Sequence, residues 1–139
     1  MNESVSDLYT QGLERYKAGA TAEELLPVFK EICDRAPKSS AALTSLSWLY
    51  LLVDKPKSAL KTAQKSIKID HNDPQGRVNL ALAMLGTGEK GVRKHIELAQ
   101  QLMSVDPEVQ EELQNSIEDG LKRKPEWKEL QRVKSWLFE

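Results

Sequence analysis

The sequence of 139 residues has one cysteine, two histidines and few aromatic residues, which make up 6% of the chain. A single cysteine, Cys33, excludes an internal disulfide framework and a cysteine-rich zinc site. The two histidines, His71 and His95, leave few ligands for a transition metal, so we expect neither a metal nor a cofactor. The longest apolar run, 46–53, is far shorter than the roughly twenty residues that cross a bilayer.

Charge is nearly balanced, because 20 basic and 21 acidic side chains give a net charge of −1. No overall field therefore marks a nucleic-acid or membrane binder. With 40% hydrophobic and 29% charged residues, the composition is that of a single globular domain over residues 1–139. The first residues lack the basic and apolar segments of a secretory signal, so we expect a cytoplasmic protein.

Turn and cap signals divide the chain at short, regular intervals. Thr21 and Glu24 have the spacing of a capping box, and Ser39 or Ser40 is the next N-cap candidate. Between these signals, apolar residues recur at every third and fourth position, and no segment has the period-two alternation of a strand. The sequence therefore predicts an all-α fold, with helices near 4–18, 21–36, 39–53, 56–70, 74–86, 89–105, 107–122 and 125–138.

The helices form pairs that recur at about 34 residues, a period typical of tetratricopeptide (TPR) repeats. The middle pair has residues of the family's types at the key places of both helices: Leu43, Leu46, Ser47, Tyr50, Ala59, Ala63 and Ser66. The chain here resembles the TPR family, and the resemblance implies a right-handed α-α superhelix. We expect repeats over 6–39, 40–73 and 74–107, followed by C-terminal capping helices over 108–139.

In TPR proteins, the first helix of each pair lines a concave groove where partners bind. The resemblance implies a groove with an apolar centre, formed by seven residues: Thr44, Trp48, Leu52, Gln75, Val78, Asn79 and Leu82. An exposed apolar patch usually marks a contact surface, here for a peptide or helical segment of another protein. The alternative is that the chain covers Trp48 with its own C-terminal helix.

Some TPR co-chaperones hold the acidic C-termini of heat-shock proteins with Lys, Arg and Asn side chains in this groove. Thr10 and Glu14 stand where that carboxylate clamp starts, and Trp48 and Leu82 occupy its later positions. Asn79 alone is similar to a clamp residue. We therefore expect no binding of chaperones through a carboxylate clamp.

The chain ends in an apolar tail that needs cover. Trp127, Leu130 and Val133 share one face of the last helix, whereas Trp136 and Phe138 project off that face. These two aromatic residues are candidates for contact with the groove, either in the same chain or in a second copy. Self-association through the C-terminal helix would follow from the second arrangement. The alternative is that both aromatic side chains rest on the outside of the third repeat.

Four lysines follow one face of the fourth helix at spacings of four, four and three: Lys57, Lys61, Lys65 and Lys68. This lysine stripe would suit a nucleic acid or another anionic surface. No arginine or aromatic residue interleaves it, so specific nucleic-acid recognition is not expected. An electrostatic accessory protein is therefore the alternative to our leading interpretation, a scaffold or assembly factor that binds another protein.

No motif in the chain predicts catalysis. Residues 86–91 have the glycine spacing of a dinucleotide-binding loop, but a helix precedes them where that motif requires a strand. Cys33 has apolar neighbours and no activating residue near it in sequence. We therefore predict a non-catalytic protein with no catalytic, cofactor-binding or metal-binding residues.

Overall fold

The computed structural model describes residues 3–139, which form eight α-helices and contain no strand. The helices are α1 (Val5–Lys17), α2 (Ala22–Arg35), α3 (Ser40–Leu52), α4 (Pro56–Ile69), α5 (Pro74–Thr87), α6 (Val92–Val105), α7 (Pro107–Arg123) and α8 (Lys128–Phe138). The all-α prediction is confirmed. Within these residues, no helix combines the length and the apolar character that spanning a membrane requires.

Most helices begin at the predicted signals. Thr21 Oγ1 accepts a hydrogen bond from Glu24 N at 3.1 Å, and Ser39 Oγ accepts one from Ala42 N at 3.2 Å. Each of these bonds satisfies a backbone N–H that has no partner within its helix. Three helices begin with a proline, namely Pro56, Pro74 and Pro107. The N–H group that proline lacks costs nothing at this position, because it would have no partner within the helix.

Two helices begin later than predicted. α6 starts at Val92 rather than near 89, because Gly88 and Gly91 have φ angles of 75° and 94° and hold the chain in a left-handed turn. α8 starts at Lys128 rather than near 125. There the backbone makes a turn first, in which Trp127 N donates a hydrogen bond to Lys124 O at 3.1 Å.

Helices α1 to α6 stack as consecutive hairpins, with each helix packed against the next and α3 also packed against α5. Small residues on the middle helices are fully buried, among them Ala59 and Ala63 on α4 and Ala81 on α5. Small side chains at these places let the helix axes approach closely. The helices at the centre of the stack are therefore closely packed against one another.

The two C-terminal helices lie on the inner side of this stack. Along α7, Ser116 contacts Gln75 on α5, Gly120 lies against Trp48 on α3, and Arg123 reaches the end of α1. α8 packs against α5, α6 and α7. Four of their side chains are at most 2% exposed and complete the main core: Leu113, Ile117, Leu130 and Val133.

Candidate functional site

The apolar groove centre predicted from the sequence is filled by the chain itself. Trp48, Leu52, Val78 and Leu82 are all buried, with no more than 8% of their surface exposed. The structure thus has the second of the two alternatives, in which Trp48 is covered by C-terminal residues. These side chains are covered because burying each of them stabilises the fold by about 1.5–3 kcal/mol relative to leaving it in water. The helices α7 and α8 provide that cover.

Trp127, and not the apolar tail, covers Trp48. The two indole rings are 5.4 Å apart between centroids and tilted by 45°. Trp136 instead remains 39% exposed, with the Arg132 guanidinium 5.0 Å from its ring, and its backbone oxygen accepts a hydrogen bond from Gln100 on α6. Within the chain, Trp136 therefore makes no groove contact and lies on the outside beside α6, as in the alternative arrangement.

The second tail residue, Phe138, is half-buried at the edge of the main core. It does not line the cavity that remains on the inner side. Its expected role as a groove contact is not supported, because the turn before α8 directs Trp127 rather than the last residues toward Trp48.

Asn79, the one residue similar to a carboxylate-clamp residue, is engaged inside the fold. Its Nδ2 donates to Thr44 O at 3.0 Å and to Ser47 Oγ at 2.9 Å, and its Oδ1 accepts a bond from Gln75 Nε2 at 2.8 Å. Ser116 on α7 continues this chain by donating to Gln75 Oε1 at 2.6 Å. Asn79 and Gln75 together therefore join α3, α5 and α7, and both polar atoms of the Asn79 amide are engaged within the fold.

A second polar network, which we call the Tyr16 network, fixes α7 to α1. Trp48 Nε1 donates to the Tyr16 hydroxyl at 2.9 Å, and that hydroxyl donates to the Asp119 carboxylate. Burial, together with the bond to Asp119, raises the pKa of Tyr16 well above its ordinary value. The tyrosine is consequently a constant donor at physiological pH.

Arg123 completes the Tyr16 network. Its Nε is 3.0 Å from Asp119 Oδ2, and its other nitrogens donate to Ala20 O at 2.9 Å and Tyr16 O at 2.7 Å. Its guanidinium also lies 3.8 Å from the centre of the Tyr16 ring. These bonds satisfy the carbonyl groups where α1 ends and hold the end of α7 in place.

A cavity of about 560 Å³ remains between α1, α3, α5 and α7, and we call it the central cavity. Its apolar side is formed by Leu13, Phe29, Trp48 and Leu49, and α7 supplies polar side chains opposite them. Of the predicted groove residues, Thr44, Trp48 and Gln75 line this cavity. Leu52 lines a neighbouring cavity of about 450 Å³, whereas Val78, Asn79 and Leu82 are at most 1% exposed within the core.

The reactive side chains are held in unreactive states. Burial raises the pKa of the Cys33 thiol to about 11, so the thiol is protonated at neutral pH. Burial and the nearby Arg77 lower the pKa of His95 to about 4, so its ring is neutral. Among residues 3–139, no group of three or more His, Cys, Asp or Glu side chains is arranged to hold a metal ion.

No protein-family model and no curated protein matches this sequence. Solved structures do match its fold. The type III secretion translocator chaperone SycD of Yersinia enterocolitica has a TM-score of 0.66 and 22% identity, over 99% of this chain and 91% of that one. PcrH, solved with the chaperone binding region of PopD, has a TM-score of 0.67 and 19% identity over 86% and 92%.

A third similar structure is the first TPR of Spaghetti (RPAP3) bound to the HSP90 peptide SRMEEVD. It has a TM-score of 0.56 and 14% identity, over 97% of this chain and 94% of that one. Helix hairpins of the TPR type thus account for the stack of α1 to α6. The chain has a TPR-like fold, as its repeat pattern predicts.

Proposed function

We propose that this chain is a non-catalytic adaptor that binds a linear segment of a partner protein in the central cavity. The observation that carries the proposal is an open cavity of about 560 Å³ on the inner side of a TPR-like fold. Ligand sites typically measure about 300–1,000 Å³ and combine apolar walls with a few polar groups. The central cavity has this composition.

The polar groups around the central cavity support binding of a peptide. Within residues 3–139, the side chains of Ser45 on α3 and of Glu112 and Asn115 on α7 make no hydrogen bond to protein atoms. They remain able to bond the main chain of a ligand. The proteins SycD and PcrH support the same class of function, because they were solved with a peptide of YopD and with a region of PopD.

A library of random linear peptides displayed on phage tests this function. Peptides enriched on the wild-type protein are synthesised, and their affinities are measured by fluorescence polarisation. Ser45→Arg and Asn115→Arg each place a long side chain in the cavity and should weaken binding by about tenfold or more. Ser104→Arg, the same kind of change at an exposed position on α6, should leave affinity within about twofold.

Two outcomes contradict the proposal. One is that no peptide is enriched above a selection without protein. The other is that enriched peptides bind both cavity variants as tightly as wild type, while circular dichroism shows that the variants are folded.

The lysine stripe offers a second candidate function. Lys57, Lys61, Lys65 and Lys68 are all exposed on α4, and none forms an ion pair within the described chain. An anionic surface would bind there with an affinity that falls steeply with salt. We predict that Lys61→Glu with Lys65→Glu leaves the affinity for cavity-selected peptides within about twofold at physiological salt. Complete loss of binding in this folded variant would favour the electrostatic function instead.

A cytoplasmic location and a role in assembly or scaffolding remain predictions from the sequence, as does self-association through the C-terminal helix. The helix α8 carries one exposed large apolar side chain, Trp136, on its outer side. Sedimentation of the wild-type protein and of Trp136→Ala would show whether this surface pairs with a second copy. A concentration-dependent shift in wild type that Trp136→Ala removes is the result expected of self-association.

A further inference from the structure

The central cavity continues toward a second cavity at the end of α1. The second cavity, of about 450 Å³, lies beside the start of α2 and the end of α7, and we call it the cationic cavity. Lys17 and Asp119 line both cavities. A ligand that leaves the central cavity at this end therefore passes Lys17 before it enters the cationic cavity.

The cationic cavity has an excess of positive charge. Four basic side chains line it: Lys17, Lys122, Arg123 and Lys124. The acidic side chains in its lining are Glu23 and Asp119. Arg123 is bound to Asp119, and Lys124 is bound to Asp54 at 2.7 Å. Within residues 3–139, Lys17, Lys122 and Glu23 form no ion pair, so a ligand would meet two free positive charges and one free negative charge in this cavity.

The opposite end of the central cavity is acidic. Asp119 is neutralised by Arg123, which leaves Glu112 as the one lining carboxylate without a cationic partner in the described chain. Glu112 and Asp119 are seven positions apart on α7, which corresponds to about 10 Å along a helix. The cavity therefore has a negative end at Glu112, and its positive end begins about 10 Å of helix length away, at the junction that Lys17 and Asp119 line. Lys122 lies three positions farther along α7.

The wall between these two ends is apolar. Leu13, Phe29 and Leu49 face the space, and the only polar atom of Trp48 is bound to Tyr16. Such a wall favours apolar side chains in the middle of the ligand. A length of about 10 Å spans about three residues of an extended chain.

From this arrangement we infer that the cavity selects a ligand segment with a base and an acid on either side of apolar residues, and that these charges set the direction in which the segment lies. The ligand segment has a basic side chain at Glu112, apolar residues against Leu13 and Phe29, and an acidic side chain at Lys17 and Lys122. The base and the acid stand about three residues apart. This inference rests on the proposed function and specifies the chemistry of the partner segment.

Charge exchange tests the inference. The first probe is the best-enriched phage peptide, synthesised with a blocked C-terminus so that only side chains carry carboxylates. The second probe is the same peptide with its acidic and basic residues exchanged. Wild-type protein should bind the first probe about tenfold more tightly than the second. The double variant Glu112→Lys with Lys17→Glu should reverse that preference.

A matched variant controls for long-range charge. Glu97→Lys with Lys128→Glu makes the same changes at exposed positions on helices that line neither cavity. At about 0.15 M salt, charges more than about 8 Å away are largely screened. This control should therefore keep the wild-type preference for the first probe.

The outcomes separate the two claims. If no peptide is enriched, or if binding survives Ser45→Arg and Asn115→Arg, the proposed function fails and the inference fails with it. If enriched peptides lose binding in those variants but lack paired charges, the inference alone is overturned. The inference is also overturned if the Glu112→Lys, Lys17→Glu variant prefers the first probe over the second to the same degree as wild type does.

Discussion

The middle helices and the C-terminal pair close the core by different means. α4 and α5 bury alanines, including Ala63 and Ala81, so that neighbouring helices cross closely. α7 and α8 instead insert large side chains, such as Ile117 and Leu130, into the curved inner side of the stack. Neighbouring helices in the middle of the stack can therefore all cross with the same geometry. The C-terminal pair instead packs on a surface that exists only once α1 to α6 have stacked.

The junction of the two regions shows what this dependence requires. A Cβ added at Gly120 of α7 would stand 2.8 Å from both Trp48 and Leu130, so only glycine allows α7 to come this close. Polar groups then fix the orientation, through Ser116 with Gln75 and through the Tyr16 network. Close packing at Gly120 and specific hydrogen bonds around it therefore fix the position of α7 beside the central cavity.

The largest expected effect comes from the C-terminal pair. Leu130→Ala removes a side chain that is 0% exposed and packs against Gly120, and it should lower the free energy of unfolding by about 2–5 kcal/mol. Val105→Ala, at a position that is 79% exposed, should change it by less than about 0.5 kcal/mol. Urea unfolding followed by circular dichroism measures both values. Similar midpoints for the two variants would contradict the burial of α8.

The next effect tests the middle helices. Ala63→Leu overfills a position that is 0% exposed and should destabilise the fold by about 1–3 kcal/mol. Lys61→Leu, on the exposed side of the same helix, should have little effect on unfolding. Chemical denaturation of both variants makes the comparison. Equal midpoints would refute the assignment of Ala63 to a close helix crossing.

The attachment of α7 to the first hairpin should contribute less. Arg123→Ala removes the donor to Asp119 and to the carbonyl groups of Ala20 and Tyr16, which should cost about 1–2 kcal/mol. Lys122→Ala changes an exposed neighbour and serves as the control. Thermal unfolding should show a lower Tm for Arg123→Ala alone. No difference between the two variants would show that the Tyr16 network does not hold α7.

The smallest effect is a pH dependence in the third hairpin. His95 has a folded pKa of about 4 and an unfolded pKa near 6.5, so the unfolded chain binds its proton first as the pH falls. Stability should therefore fall between about pH 6.5 and pH 4, whereas the effect of this residue near pH 7 is small. His95→Gln cannot titrate, and it should lose less stability over that range in urea unfolding measured at each pH. Parallel losses in both proteins would contradict the assignment.

The local pattern was sufficient to predict the helices and their caps. Thr21, Ser39 and Pro56 act within one helical turn, so their effect is visible in neighbouring residues. The start of α6 was placed too early because the left-handed conformation of Gly88 and Gly91 depends on how the hairpin closes. The spacing of the residues around Gly88 and Gly91 is compatible both with the start of a helix and with a turn.

The candidate site was less predictable, because its residues come from distant parts of the chain. Thr44, Trp48 and Gln75 line the central cavity, and helical periodicity determines which face of α3 and α5 they share. The cover by Trp127 and the bond between Tyr16 and Asp119, 103 positions apart, depend on where α7 and α8 lie. Periodicity specifies the buried face of a helix but not the surface on which that face rests.

Photo-crosslinking tests the central claim most directly, namely that a partner segment lies in the cavity beside α7. A benzophenone amino acid is placed at Asn115, on the cavity wall, and separately at exposed Ser104 on α6. Each protein is irradiated with the best-enriched peptide, and crosslinked residues are identified by mass spectrometry. The structure predicts a peptide adduct from position 115 and none from position 104. An adduct from position 104 only, with a peptide that still binds, would contradict the proposed site.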